Sequence, residues 1–142
     1  MSEVELTEEQ NERLARAAGN MPFGQVVGIS LEHAQLGRAT MSIDICDSHK
    51  QNNGVVHGGA IATLIDTATA FAIIPLLKEG ETASTIELSI SYLRPLIEGK
   101  AICTAWVRRE GKRLIALSAD VFDGEGKLTA TSLSTYMRAT KK

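Results

Sequence analysis

A histidine and two glycines stand directly before a long apolar run that contains a single acid. The run begins after His57-Gly58-Gly59, and Asp66 lies inside it among leucine, isoleucine and alanine. If the run is a helix, its first N–H groups have no intrahelical partner and carry partial positive charge. Because glycine has no side chain, an oxyanion or a polarised carbonyl can approach that backbone closely. A tight turn into the helix would also explain the two glycines.

Asp66 is the residue that we expect to carry the chemistry. The other polar side chains on the helix body are the hydroxyls of Thr63, Thr67 and Thr69, and a hydroxyl cannot neutralise a carboxylate. A buried carboxylate must be paired, hydrogen-bonded or functional. We therefore predict a functional acid at position 66.

Residues 57–78 are predicted to form one helix about 30 Å long, because alanine, leucine and isoleucine dominate without strand-like alternation. A run of this length could also span a bilayer. Asp66 near its middle would then cost about 2.5–3.5 kcal/mol, and Pro75 would interrupt the span. The rest of the chain also contains amphipathic strands that need an apolar element to cover. We therefore expect no membrane partner.

Six segments alternate between apolar and polar residues, as strands do. They lie at residues 27–31, 39–45, 85–93, 101–109, 113–122 and 128–137. Residues 35–38 separate the first two, which predicts a hairpin. Turn residues separate the last four segments: Pro95 with Glu98-Gly99, then Glu110-Gly111, then residues 123–126. This turn chemistry predicts hairpins between antiparallel neighbours.

A helix that is apolar on all sides should be buried on all sides. The fold that achieves this is α+β: an antiparallel six-stranded sheet wrapped around one long central helix, the hotdog arrangement. Residues 1–142 fit one domain. Residues 1–20 would form an N-terminal extension with a short helix, opened by a capping box from Thr7 to Gln10 and ending near Gly19-Asn20.

The composition excludes several classes of function. The net charge of −2 gives no reason to expect nucleic acid as a partner. The chain has no Gly-x-Ser-x-Gly elbow, phosphate-binding Gly-Lys-Ser/Thr loop or Cys-x-x-Cys pair, so serine hydrolases, nucleoside triphosphatases and zinc proteins are unsupported. Cys46 and Cys103 have no partners at metal-ligand spacing, and we predict buried, reduced thiols. His33 and His49 are predicted to be surface residues.

The first residues of the chain, Met1-Ser2-Glu3-Val4-Glu5, are acidic and lack the basic start and apolar stretch of a secretory signal. We therefore expect a cytoplasmic location.

Helix geometry separates Gly58 from Asp66. Eight residues span about 12 Å along a helix axis, so one chain cannot aim both groups at one carbonyl. If two such helices lie antiparallel about a twofold axis, the Gly58 end of one faces Asp66 of the other. We therefore predict at least a homodimer, with two composite sites.

The stretch from Gln51 to Gly59, followed by Asp66, resembles the hotdog-fold acyl-CoA thioesterases of the phenylacetate-pathway type. The resemblance extends over roughly residues 20–138. That family has the motif Gly-x-x-His-Gly-Gly. An Asn, or in some branches a Gln, stands six residues before the histidine of this motif. An acid stands eight residues after the glycine that directly follows the histidine. Gln51 fills the first position here, in place of the commoner asparagine.

The resemblance implies roles for these residues. The Gly58 N–H would polarise the thioester carbonyl, and Asp66 of the partner chain would act as general base on water or as nucleophile. Gln51 would position the water or the carbonyl. His57 would fix the loop and contact the thioester region.

The family often has a hydroxyl at the start of the strand after the helix. When the ending Tyr92-Leu93-Arg94-Pro95 is aligned, Thr85 falls at that position, with Ser84 as the alternative. In related proteins the hairpin at residues 108–113 contacts the nucleotide end of coenzyme A. The residues that we expect to bind substrate are Gly59, Asn53, Phe23, Ile61, Leu64, Phe71, Arg94, Arg109, Gly111, Lys112 and Arg113.

The function implied is hydrolysis of an acyl- or aryl-acyl-CoA thioester to the free acid and coenzyme A, without a metal or an organic cofactor. One alternative is a hotdog hydratase or dehydratase, but the expected Asp-x-Asn-Pro-x-His stretch is absent. Another is a non-catalytic acyl-CoA sensor or assembly component, against which the combination of Asp66, Gln51 and His57 argues. Aromatic, medium-chain and branched acyl groups stay open, as does assembly of dimers into tetramers.

Overall fold

The computed structural model describes residues 4–141. Three helices and six strands make up this part of the chain. The helices are α1 (Glu8–Gly19), α2 (Pro22–Val27) and α3 (Gly58–Ile73), and the strands are β1 (Ile29–Gln35), β2 (Arg38–Asp44), β3 (Glu81–Tyr92), β4 (Lys100–Glu110), β5 (Leu114–Phe122) and β6 (Leu128–Thr140). Short 3-10 helices lie at Asp47–His49 and Ile74–Leu76.

All six strands form one antiparallel sheet in the order β1-β2-β4-β5-β6-β3. The predicted hotdog fold is therefore confirmed, with α3 packed against the inner face of the sheet. One predicted hairpin is wrong: β3 pairs with β6 and does not contact β4 as a neighbour. Residues 93–99, with Pro95, form a crossover between the two strands, which places β3 at a free edge of the sheet.

Small side chains on the sheet allow α3 to approach closely. The inner positions Ala39, Ala101, Ala105 and Ala119 are fully buried, as are Leu64 and Ile65 of the helix. Strand alternation thus places apolar residues inward and polar residues outward. This packing within the chain accounts for the apolar composition of Gly58–Leu76, a stretch long enough to cross a membrane but half buried here.

One face of α3 is less buried than predicted. Gly59 is exposed and Ala62, Thr63, Asp66 and Thr67 are only partly buried. Their spacing of three and four residues places them on one side of the helix. Within a single chain the helix is therefore not enclosed on all sides, and the incompletely covered side is the one that carries Asp66.

The N-terminal helix is formed as predicted. The backbone N–H of Thr7 donates to Gln10 Oε1 at 2.8 Å, and the N–H of Gln10 donates to Thr7 Oγ1 at 3.2 Å. Gln10 Nε2 also donates to the Pro75 carbonyl at 3.0 Å, so α1 packs at the C-terminal end of α3. The central helix ends at Ile73, before position 78, because Pro75 cannot continue it.

Helix α2 was not predicted from the sequence. Val27, expected at the start of a strand, is its last residue, and Gly28 ends it with φ 85°. The two cysteines also differ from one another: Cys103 is buried as predicted, but Cys46 follows β2 and is exposed.

His49 is buried, which contradicts its predicted surface position, whereas His33 is exposed as expected. The ring of His49 explains the burial, because Nε2 lies 2.6 Å from the Val27 carbonyl and Nδ1 accepts the Cys46 N–H at 3.0 Å.

Candidate active site

Asp66 is held by hydroxyl groups from two strands. Thr85 Oγ1 donates to Asp66 Oδ1 at 2.7 Å. The hydroxyl of Tyr136 donates to the Asp66 backbone carbonyl at 2.8 Å and lies 3.3 Å from Oδ1. Within residues 4–141 no hydrogen bond is made to Oδ2 of this carboxylate, and the residue is only partly buried. The structure thus brings Asp66 and Thr85 together, while the alternative Ser84 is exposed and lies opposite Met137.

The register of β3 and β6 explains why Thr85 reaches the helix. Thr85 lies directly opposite Tyr136, and a bulge follows between Thr85 and Glu87. Bulges redirect side chains and occur frequently beside active sites. Ile86, the extra residue, is 53% exposed. Thr85 and Tyr136 therefore form a cross-strand pair whose hydroxyls both reach Asp66.

Tyr136 was not predicted from the sequence as a site residue. A single tyrosine at an inward-facing position of a strand resembles an aromatic residue that only packs in the core. The hydroxyl is the feature that could have pointed to a role beyond packing, because a buried tyrosine hydroxyl usually needs a hydrogen-bond partner. Besides Asp66, the hydroxyl of Tyr136 contacts Thr69 Oγ1 at 2.7 Å.

His57 forms the cap of α3. Its backbone is extended and its Nδ1 accepts the N–H of Gly59 at 2.8 Å. A side chain at Gly59 would begin 2.9 Å from this nitrogen, so the cap requires glycine there. His57 and Gly59 therefore stabilise the start of α3. The histidine ring stays exposed.

Gly58 is the first residue of the helix, so its N–H has no intrahelical acceptor, and within residues 4–141 no other acceptor is paired with it. The Tyr92 hydroxyl donates to the Gly58 carbonyl at 2.9 Å. A Cβ at position 58 would lie 3.2 Å from the Tyr92 ring. Glycine therefore lets Tyr92 pack closely against the backbone that presents the free N–H.

Gly58 lines a cleft of about 380 Å³. Gln51, Gly58, Ile61 and Arg94 line it together with apolar side chains of the crossover and of β6. Asp66 does not line this cleft. Among residues 4–141, no group of three or more His, Cys, Asp and Glu side chains could hold a metal ion.

Four other predicted substrate contacts lie elsewhere. Leu64 and Phe71 belong to the buried core and do not line the cleft. Phe23 is 64% exposed on α2. Asn53 is exposed in a turn, where its Oδ1 accepts the Val55 N–H at 3.4 Å.

The basic hairpin joins β4 and β5, near the C-terminal end of α3 rather than beside the cleft. Arg109, Lys112 and Arg113 are exposed. Gly111 closes the turn: its N–H donates to the Leu114 carbonyl at 2.8 Å, and a Cβ would lie 2.6 Å from that oxygen. The same end contains Arg138, which pairs with Glu81 at 3.1 Å and with Glu110.

The sequence model of the thioesterase superfamily matches residues 53–130, which include Gly58, Asp66 and Thr85. The chain belongs to the thioesterase superfamily. Membership confirms the predicted resemblance and identifies thioester hydrolysis as the class of reaction.

Two proteins named as acyl-CoA thioesterases align over most of this chain. Human acyl-coenzyme A thioesterase 13 is 32% identical over 111 residues, covering 76% of this chain and 79% of that protein. The medium/long-chain acyl-CoA thioesterase YigI of Salmonella typhimurium is 25% identical over 133 residues, covering 83% and 86% of the two chains.

Solved structures agree on the fold of this thioesterase superfamily member. The Escherichia coli PaaI protein from the phenylacetic acid degradation operon superposes with a TM-score of 0.88 at 22% identity, covering 97% of this chain and 99% of that one. A thioesterase of Haemophilus influenzae gives a TM-score of 0.83 at 22% identity, covering 99% and 96%. At this identity the likeness shows the hotdog fold alone.

Proposed function

We propose that the chain hydrolyses an acyl-CoA thioester to a carboxylic acid and coenzyme A at a site shared by two copies of the chain. One copy supplies Asp66 and the other supplies the Gly58 N–H. The observation that carries this proposal is the separation of the two groups. They lie on one helix about 12 Å apart along its axis, and the cleft at Gly58 does not contain Asp66.

Two further features favour association of the chain with a second copy of itself. Strand β3 has 12 residues and, within residues 4–141, pairs only with β6, so its other edge offers unpaired N–H and C=O groups to another strand. The face of α3 that carries Asp66 is only partly covered by the chain's own sheet. Because Thr85 of β3 contacts Asp66, these two features lie next to each other, and a twofold axis beside β3 would place both against a second copy. The proposed assembly is at least a homodimer.

The proposed chemistry starts at Asp66 Oδ2. Because Thr85 and Tyr136 contact Oδ1, Oδ2 is the oxygen available to react. As a general base it would take a proton from water, and the hydroxide would add to the thioester carbonyl carbon. The C–S bond would then break, and Asp66 would return the proton to the leaving thiolate. As a nucleophile, Oδ2 would instead attack the thioester carbonyl carbon, and the C–S bond would break as coenzyme A leaves as a thiolate. Water would then cleave the resulting anhydride to the carboxylic acid and free Asp66, and the proton released would go to the thiolate.

The Gly58 N–H of the other copy would stabilise the oxyanion in either route. Gln51 and Arg94 line the same cleft, so Gln51 would contact the carbonyl or the water and Arg94 the coenzyme A phosphates. We retain the exposed hairpin at residues 108–113 as a second phosphate contact, supplied by the copy that supplies Asp66, because the hairpin of the copy that supplies Gly58 does not line the cleft. The acid and the N–H together supply both the base and the electrophilic assistance, so this chemistry needs no metal and no organic cofactor.

Thiol release from a panel of aromatic, medium-chain and branched acyl-CoA substrates tests the proposal. We expect release by the wild type and a loss of about a hundredfold or more in kcat for Asp66→Asn and Asp66→Ala. Asp44→Asn is the matched control, because Asp44 is an exposed acid at the end of β2. Wild-type rates in Asp66→Asn would contradict the proposal, and tight binding without thiol release would favour the acyl-CoA sensor.

Solvent labelling tests whether Asp66 is the nucleophile. In a single turnover in water enriched in oxygen-18, with enzyme in excess, a general base yields labelled carboxylic acid and an unlabelled enzyme. If Asp66 forms an anhydride that water cleaves at the Asp66 carbonyl, the label enters the enzyme and the first product is unlabelled. Mass spectrometry of the peptide containing Asp66 therefore identifies this nucleophilic route, whereas cleavage at the acyl carbonyl gives the same labelling as a general base.

A further inference from the structure

Tyr136 places a phenol hydroxyl in the interior of the protein, next to the proposed reacting acid. The residue is 3% exposed and faces inward from β6. Its hydroxyl lies 2.8 Å from the Asp66 carbonyl, 3.3 Å from Asp66 Oδ1 and 2.7 Å from Thr69 Oγ1. All three contacts are to Asp66 or to the residue one helical turn beyond it.

Packing alone does not account for this side chain. A phenylalanine would fill the same space without burying a hydroxyl, and burying a polar group is unfavourable unless it is hydrogen-bonded. Burial also raises the pKa of Tyr136 to about 12. The hydroxyl therefore keeps its proton at neutral pH and acts there as a donor.

The strand register directs this donor to the same acid as Thr85. The two residues are directly opposite one another across β3 and β6. Thr85 holds Oδ1 at 2.7 Å, while Tyr136 holds the backbone carbonyl of the same residue and lies near the same oxygen. Asp66 is thus fixed from its main chain and from one side-chain oxygen at once.

We propose that Tyr136 is a positioning residue which, with Thr85, holds Asp66 so that Oδ2 faces the substrate. The inference rests on the proposed function, in which Asp66 is the reacting acid. Thr69 supports the arrangement, because its hydroxyl contacts the phenol and also lies 3.0 Å from the Ile65 and Asp66 carbonyls. The superfamily match ends at residue 130, so it does not include Tyr136.

Tyr136→Phe tests the inference, because it keeps the ring and removes only the hydroxyl. We expect kcat for thiol release to fall about tenfold, since the Asp66 backbone carbonyl loses its phenol donor and Oδ1 loses the neighbouring hydroxyl, while KM changes less than about twofold. Ser134→Ala is the matched control. Ser134 lies two residues earlier on the same strand, is also buried, and its hydroxyl has no partner within residues 4–141.

A second variant keeps the inference testable if Tyr136→Phe does not fold. Thr69→Val leaves the phenol in place but removes a hydroxyl that orients it, and we expect a smaller fall in kcat at unchanged KM. Wild-type kcat in a folded Tyr136→Phe, or an equal loss in Ser134→Ala, would overturn the inference. Failure of the proposed function would be recognised separately, by full activity in Asp66→Asn.

Discussion

The hydroxyl of Thr85 lies 2.7 Å from Oδ1 of Asp66 and joins the central helix to the edge strand of the sheet. The edge strand is also the element whose outer side is free to pair with a second chain. The contact therefore connects the proposed reacting acid to the proposed dimer interface. It fixes which oxygen of Asp66 is engaged and which is available.

Thr85→Val should lower kcat about tenfold with little change in KM, because the carboxylate loses a hydrogen-bond donor while the shape of the side chain is kept. Thr85→Ser keeps the hydroxyl and should retain most of the activity. Steady-state thiol release from one acyl-CoA substrate measures both variants. Equal losses in the valine and serine variants would mean that the hydroxyl is not the relevant group.

Gly58→Pro should reduce kcat about a hundredfold, because proline has no N–H to stabilise the oxyanion. Proline is well tolerated at the first position of a helix, and His57 before it already has φ −63° and ψ 134°, which suits a residue that precedes proline.

Gly58→Ala is the control for steric effects at this position. It adds the same Cβ, 3.2 Å from the Tyr92 ring, but keeps the N–H. The alanine variant should therefore lose much less activity than the proline variant. If both lose the same activity, contact with Tyr92 rather than the N–H explains the loss.

His57→Ala should lower the free energy of unfolding by about 0.5–2 kcal/mol, because the Gly59 N–H loses the Nδ1 acceptor that caps α3. His57→Asn provides another capping acceptor and should recover part of this loss. Denaturant unfolding of the three proteins at one protein concentration measures the difference. If alanine matches the wild type, the cap does not contribute to stability.

Stability at high pH should depend on Tyr136. Its folded-state pKa of about 12 is above the ordinary value near 10, so the folded state favours the protonated phenol. The contribution is fully present below pH 10 and is lost as the pH rises towards 12, by about 2–3 kcal/mol. Tyr136→Phe lacks this component and should show a shallower decline in unfolding free energy between these pH values. Parallel declines in the two proteins would contradict the prediction.

The sequence predicted the elements that have strong local patterns. The apolar run around Asp66 is a helix, the six alternating segments are strands, and Thr7 with Gln10 forms the expected capping box. Helix α2 was missed because six residues containing proline and glycine carry no periodic signal. The Pro95 crossover resembled a hairpin turn, since local turn chemistry does not determine which strands pair.

In the candidate site, too, the local features could be predicted from the sequence and the long-range contacts could not. The spacing from Gly58 to Asp66 is local and could be read directly from the sequence. The contact between Asp66 and Thr85 joins residues 19 positions apart, and only the resemblance to a known family pointed to it. Tyr136 is 70 positions from Asp66, so its contact depends on the β3–β6 register and on the bulge at Thr85, which no local pattern indicates.

Complementation between two inactive chains tests the shared site most directly. Asp66→Asn and Gly58→Pro chains with different affinity tags would be co-expressed, and the mixed dimer purified through both tags. A shared site predicts that each parent homodimer is inactive while the mixed dimer, with one intact Asp66 and Gly58 pair, recovers about half of the wild-type kcat per dimer. A mixed dimer no more active than the mean of its parent homodimers would contradict the account.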